Sequence, residues 1–269
     1  MKKSTVATFA LVVGSGLTIL AAGQGGTTSE IAQAGQDTRC FELRTYYAAP
    51  GKLDALLARF RDHTVRLFAK HGIQNIGYWV PLDNPDNKLI YMLAFPSREA
   101  RQAAWKAFSA DPDWKKARSE SEASGKLVTK IESVFLTATD YSPPIRPTTA
   151  PSPRVFELRT YTASAGNLDA LNARFRDHTI RLFAKHGITS IGYWVLDKDQ
   201  KDSDRTLIYI LAHNSKEAAE KSFAAFRSDP EWIAAKEASE KKAGGPLTEG
   251  GSSGVKSVFL TPTDFSPMK

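Results

Sequence analysis

Arginine, tyrosine and histidine recur as a set in two places along this 269-residue chain. Arg44, Tyr46 and His63 make one set; Arg159, Tyr161 and His178 make the other, each displaced by 115 positions. An imidazole changes charge near neutral pH, a guanidinium forks onto anionic oxygens, and a phenol both donates and accepts. Such a set could move a proton through His63 and His178 while Arg44, Tyr46, Arg159 and Tyr161 hold a ligand. A plainer reading stands beside it. His63 falls about 60° from the centre of an apolar helix stripe, where a histidine can simply bond across a helix–sheet junction. Arg44 lies two residues from Glu42 on one strand face and can form an internal ion pair with it.

Other chemistries are poorly supported. No HExxH, paired CxxC or carboxylate–histidine cluster at ligand spacing points to a metal. No GxGxxG or GxxxxGK[ST] motif is present, and no serine sits in a GxSxG nucleophile elbow. No cofactor is expected, and no residue argument favours haem. The single cysteine, Cys40, cannot form an internal disulfide and reads as a small hydrophobe at a strand end. His71 precedes Gly72 at a helix end, which is capping chemistry. His213 has Phe95 as its counterpart and reads as incidental.

These residues sit inside a duplication. Residues 41–80 and 156–195 differ at eight of forty positions. A period of 115 residues is that of a small domain and is too long for a solenoid. Each copy reads strand, helix, strand, strand, helix, strand. In the first, Phe41–Tyr46 alternates Phe41, Leu43 and Thr45 with Glu42, Arg44 and Tyr46. Leu53–His71 has the pattern of one amphipathic helix, with Leu56, Phe60, Leu67 and Phe68 on its apolar side. Arg59, Asp62, Arg66 and Lys70 fall on the polar side, with Asp62 spaced to pair with Arg59 and Arg66. Strands are expected at Ile76–Val80, Leu89–Phe95 and about Lys130–Thr137. A helix capped by Ser97 fills the interval, and Asp111-Pro112 restarts it. The βαββαβ order is the ferredoxin-like split unit, an α+β fold with helices on one sheet face. The other face needs a cover, and the second copy supplies it. The expected architecture is therefore two ferredoxin-like domains packed sheet to sheet as an intrachain pseudo-dimer. The copies are least alike in the second helix and the last loop, where Gly250-Gly251-Ser252-Ser253-Gly254 lengthens the second.

Outside the copies, residues 1–23 read as a secretory signal peptide: Met1-Lys2-Lys3, then an apolar run ending at Ala21-Ala22-Gly23. Cleavage there leaves no transmembrane span and points to a periplasmic or secreted protein. Residues 24–38 form a Gly-, Gln- and Thr-rich tether, 39–141 the first domain, 142–153 a Pro-rich linker and 154–269 the second domain. At about 3.1 Å per residue the linker reaches roughly 35 Å, enough to set the domains side by side. The net charge of +7 is spread among acids without a basic stripe, which argues against nucleic acid.

Glu42-Leu43-Arg44-Thr45-Tyr46, Arg61-Asp62-His63, Phe68-Ala69-Lys70-His71-Gly72 and Gly77-Tyr78-Trp79, all repeated in the second copy, resemble the NIPSNAP domain. Asp111-Pro112-Asp113-Trp114 and Asp229-Pro230-Glu231-Trp232 are similar to it as well. The resemblance spans Arg39 to Pro267 and implies a dimeric α/β barrel. That superfamily holds cofactor-independent monooxygenases, isomerases and haem enzymes, while NIPSNAP proteins have no settled activity. Eukaryotic members associate with mitochondria and recruit proteins, a role the export signal speaks against here. The expected function is binding of a small molecule or a protein partner by the barrel. The alternative is a cofactor-independent monooxygenase- or isomerase-like enzyme using His63 and His178 as acid/base groups.

Overall fold

The structure, a computed structural model, describes residues 36–150 and 152–269. The expected signal peptide and the tether up to residue 35 lie outside them. In the first half the strands are β1 (Cys40–Ala48), β2 (Gln74–Pro81), β3 (Lys88–Phe95) and β4 (Val128–Ala138). In the second they are β5 (Val155–Thr162), β6 (Thr189–Leu196), β7 (Thr206–His213) and β8 (Val255–Pro262). All eight close into one antiparallel barrel in the order β1-β3-β2-β8-β5-β7-β6-β4. Two short ladders join the halves: Trp79–Pro81 of β2 runs against β8, and Leu136–Ala138 of β4 against β6. The sheets therefore face each other as the sequence predicted, and their edges are also joined.

Alternation on the strands decides which side chains go where. Phe41 and Leu43 point into the barrel, where they meet Trp79, Trp194 and Phe156. Aromatic contacts cross between halves, with Phe41 and Trp194 centroids 5.7 Å apart and Trp79 and Phe156 5.6 Å apart. Ile145 of the linker and Met268 of the carboxyl-terminal tail join the same core. The interior is thus packed with side chains. Glu42, Arg44 and Tyr46 point outward, toward the helices.

The first helical stretch departs from the sequence reading. It runs as α1 (Leu53–Arg59), a π-helical turn over Phe60–Thr64, then α2 (Val65–Lys70). Val65 N–H reaches back five residues to the Phe60 carbonyl. The Thr64 hydroxyl donates to the Arg59 carbonyl at 3.1 Å, which satisfies an acceptor that the wide turn would leave open. The second half repeats this with α5 (Leu168–Arg174), a π turn over Phe175–Thr179 and α6 (Ile180–Lys185). The extra residue in the turn puts Phe60 and Thr64 in the core and leaves His63 half-exposed. An ideal helical wheel cannot show this. Gly72, at φ +75°, ends the stretch in the left-handed conformation expected of a C′ residue.

The second helical layer is α3 (Arg98–Ala110) and α4 (Pro112–Ser121), matched by α7 (Lys216–Arg227) and α8 (Pro230–Ala243). Asp111 explains the Asp-Pro motif. Its side chain accepts from Asp113 N–H at the start of α4, and it also takes His71 Nε2 at 2.6 Å and Lys70 Nζ at 2.8 Å. Lys70 and His71 hold the Asp111 carboxyl well below the usual range. His186, Lys185 and Asp229 repeat the clamp.

Gly77 and Gly192 show how tightly the barrel is filled. A Cβ on Gly77 would lie 2.2 Å from the Trp79 ring, and one on Gly192 2.5 Å from that of Trp194. Gly77→Ala is expected to lower stability by about 1–3 kcal/mol in urea unfolding. Gly245→Ala, which meets nothing within 4 Å, is expected to change it by less than about 0.5 kcal/mol.

Candidate functional site

Each half buries one carboxylate between its sheet and its helices. In the first, Glu42 is fully buried and accepts from Arg44, from Arg101 at 2.8 and 3.0 Å, from Trp105 Nε1 at 3.2 Å and from Ser133 at 2.6 Å. Burial pushes its pKa up, but the Arg101 hydrogen bonds, the Arg44 charge and the Ser133 hydroxyl outweigh that and hold it down at about 2. The ion pair foreseen between Glu42 and Arg44 is present, but on the helix-facing side and not across the barrel interior. Arg44 also donates from Nε to Tyr91 at 2.9 Å and from Nη2 to Tyr46 at 3.3 Å.

The second half keeps the carboxylate and changes its partners. Glu157 takes Arg159, Ser257 at 2.5 Å, and His213 Nε2 at 3.1 Å. The longer β6–β7 hairpin shifts the correspondence by three residues, so His213 stands where Phe95 stands, Ala219 where Arg101 does and Phe223 where Trp105 does. His213 is therefore not incidental. Where the second half lacks Arg101, it places a histidine on the opposite strand against the same carboxylate. Nothing in a single copy announces this; the paired substitutions Arg101/Ala219 and Phe95/His213 are the signal in the sequence. Arg159 keeps its bonds to Tyr209 at 2.9 Å and Tyr161 at 3.3 Å. Burial pushes the Tyr209 hydroxyl pKa well up, so it is a neutral donor and acceptor at physiological pH.

Each half also has a pocket between its sheet and its helices. The second-half pocket, about 320 Å³, is bordered by Arg159, Tyr161, Phe175, Phe183, Phe226 and Trp232, with Arg174 and Glu240 at one side. Thr248, Gly251 and Ser252, from the lengthened loop before β8, border it too. The first-half pocket, about 410 Å³, has Tyr46, Phe60, Phe68, Phe108, Trp114, Arg59 and Glu122 in corresponding places. It runs out along Lys126–Ile131 and does not reach Arg44. Of the six residues proposed from sequence, three border these pockets: Tyr46 one, Arg159 and Tyr161 the other.

His63 and His178 border neither pocket. His63 is half-buried and makes no side-chain hydrogen bond among the described residues; His178 is exposed and lies with Asn167, Ala235 and Ser239 in a groove between α5 and α8. The π turn rotates both away from the sheet. Sequence reasoning missed Arg59 and Arg174, which the helical wheel put on the polar face. Both are buried, at 5% and 6% exposure. Arg59 pairs with Glu122 at 3.0 Å, not with Asp62, and Arg174 with Glu240 at 3.4 Å. Each guanidinium lies over a tryptophan, Trp114 at 5.3 Å and Trp232 at 5.2 Å, and each Nε has no hydrogen-bond partner. Burial lowers the pKa of Arg174 against the pull of Glu240. Among the described residues, no group of three or more His, Cys, Asp or Glu is placed to hold a metal.

Two ferredoxin-like units closed into one barrel, with a charged pocket under each helical layer, define a dimeric α/β barrel built within a single chain. The NIPSNAP family pattern matches residues 41–143 and 156–267, and the chain belongs to that family. Among solved structures, it is similar to a proposed monooxygenase from Lactobacillus acidophilus at 12% identity and TM-score 0.52, over 84% of this chain and 94% of that one. An anthrone oxidase-like protein is similar at 14% identity and TM-score 0.52, over 87% and 95%. A NIPSNAP family protein of unknown function from Agrobacterium tumefaciens shares 24% identity over 39% of this chain and 93% of its own, with TM-score 0.36. No curated protein matches the chain.

The depressed Glu42 carboxyl sets a pH dependence. Its pKa falls from 4.5 unfolded to about 2 folded, so its stabilising effect is complete above pH 4.5 and is lost as pH falls toward 2. Urea unfolding between pH 6 and pH 2 should show a loss of about 3 kcal/mol from this group. Glu42→Gln should flatten that part of the slope and, by leaving Arg44 and Arg101 without their carboxylate, cost about 3–5 kcal/mol at pH 7.

Proposed function

We propose that this chain is an exported small-molecule-binding protein whose ligand enters between sheet and helices and not the barrel interior. The supporting observation is the second-half pocket. Its volume, about 320 Å³, falls within the ligand-site range of roughly 300–1,000 Å³. Six aromatic side chains line it, and polar groups, among them Arg159, Tyr161 and Arg174, converge on it. That is the usual composition of a site that binds a largely apolar molecule and fixes its orientation by few contacts. The interior, by contrast, is filled by Phe41, Trp79, Phe156 and Trp194.

The alternative, a cofactor-independent monooxygenase- or isomerase-like activity, draws on the names given to two structural neighbours that share the fold. In this chain His63 and His178 stand outside both pockets, which favours binding over proton transfer by those residues. A general base near the second-half pocket would have to work without an imidazole on its wall, since His213 is 4% exposed and turned to Glu157.

The neutral probe N-phenyl-1-naphthylamine should bind the full chain saturably, with energy transfer from Trp232. Trp232→Phe should reduce the transfer and leave binding within about threefold, a change under about 0.7 kcal/mol. Non-saturable fluorescence would contradict the reading. His63→Ala with His178→Ala should leave the affinity unchanged. For export, the protein recovered from outside the cytoplasm should begin near Gln24; recovery with Met1–Lys3 intact, in the cytoplasm, would contradict it.

A further inference from the structure

The two halves are alike in fold and unlike at their pockets, and the differences point one way. In the first half the Trp105 ring sits 4.6 Å from the Arg44 guanidinium and its indole N–H donates to Glu42. Arg101 adds two more donors to that carboxylate. Arg44 is sealed beneath this cover and does not border its pocket. In the second half Ala219 and Phe223 replace Arg101 and Trp105; the Phe223 ring still lies 4.7 Å from the Arg159 guanidinium, but the three N–H donors to the carboxylate are gone from the cover, and Arg159 does border its pocket.

Arg174 differs from Arg59 in the same sense. Its contact with Glu240 is 3.4 Å where Arg59 approaches Glu122 at 3.0 Å, and its contact with Ser239 is 3.5 Å against 3.3 Å to Ser121. Its Nε, like that of Arg59, is buried without a partner. A guanidinium carries five N–H donors, and Arg174 is therefore left with unused donor capacity on a pocket wall. Around the pocket, Arg159, Arg174, Arg227 and Lys236 face a single carboxylate, Glu240. The first-half pocket has the same balance, Arg59, Arg118, Lys126 and Lys130 against Glu122, so what sets the second apart is Arg159 on its wall. The flat walls are aromatic, with Phe226 and Trp232 centroids 4.4 Å apart. The loop that lengthens this copy is ordered against β5: Glu249 N–H donates to the Thr162 carbonyl at 2.9 Å, and Thr248 Oγ1 to the Gly251 carbonyl at 2.7 Å. It places Gly251 and Ser252 at the pocket edge, where the first half has strand β4 residues instead.

We infer that the second-half pocket alone binds a planar aromatic molecule carrying an anionic oxygen, with Arg159 and Arg174 receiving the charge and Trp232 and its neighbours flanking the ring. This rests on the small-molecule reading above and narrows it to one pocket and one ligand class. Excess cation on a partly dry wall favours an anion, and charge-assisted hydrogen bonds are roughly twice as strong as neutral ones. Glu157 and Glu240 keep the two arginines aligned without using all their donors. The first half, with its arginine covered, is the structural partner that completes the barrel.

The test is calorimetric titration of the full chain at pH 7 with 2-naphthoate and with its neutral isostere 2-naphthamide. The expected result is one molecule per chain and naphthoate at least about tenfold tighter than naphthamide. Arg174→Gln should erase that preference while naphthamide still binds. If Arg174→Gln does not fold by circular dichroism, Arg227→Gln, on the exposed rim, should reduce the preference severalfold. Ala219→Arg with Phe223→Trp, which restores the first-half cover, should weaken naphthoate by at least about tenfold. Equal affinity for the two compounds, with N-phenyl-1-naphthylamine still bound, overturns the anion assignment and leaves the small-molecule reading standing. Two molecules per chain overturns the one-sided assignment. Binding of none of the three probes overturns both.

Discussion

Everything in this molecule follows from the need to cover two apolar sheet faces. Each βαββαβ unit has helices on one side only, so the face carrying Phe41, Trp79 and Leu136, or Phe156, Trp194 and Leu260, must be buried by something else. The other half does it. Each fully buried apolar side chain contributes about 1.5–3 kcal/mol, and more than a dozen from the two halves share one core. Closing the edges through β2–β8 and β4–β6 removes exposed strand edges as well. The consequence for function is direct. A packed barrel interior leaves the ligand-sized, aromatic-lined spaces to lie between each sheet and its own helices.

Those outer spaces carry the polar chemistry because alternation along β1 and β5 sends Glu42, Arg44 and Tyr46, and their copies, to that side. A buried carboxylate is tolerable only if donors surround it. The first half surrounds Glu42 so fully that the guanidinium beside it is sealed in. The second half surrounds Glu157 with fewer groups and substitutes His213 for Arg101. The changes at Ala219, Phe223 and Gly250–Gly254 cluster around a single pocket.

The fold was legible from sequence to an unusual degree because the repeat supplied its own control. Strand alternation at Phe41–Tyr46, the caps at Ser97 and Asp111 and the stop at Gly72 all have local causes, and the structure places them as expected. The site was legible only in part. Arg159, Tyr161 and Tyr46, singled out through the repeated strand, border the pockets. Arg59 and Arg174 were missed, and His63 and His178 were favoured, for one shared reason: the π turn at Phe60–Thr64 inserts a residue that a regular helical period does not contain. His213 was missed because its role depends on Glu157, 56 residues away, and on the loss of an arginine from another element.

The five tryptophans report on every compartment: Trp79 and Trp194 in the barrel core, Trp105 and Trp114 in the first helical layer, Trp232 in the second. Fluorine NMR of the 5-fluorotryptophan-labelled chain, titrated with 2-naphthoate, therefore tests where a ligand goes. The account predicts that the Trp232 resonance moves and the other four stay in place. Movement of Trp79 or Trp194, or of Trp114 together with Trp232, would contradict it.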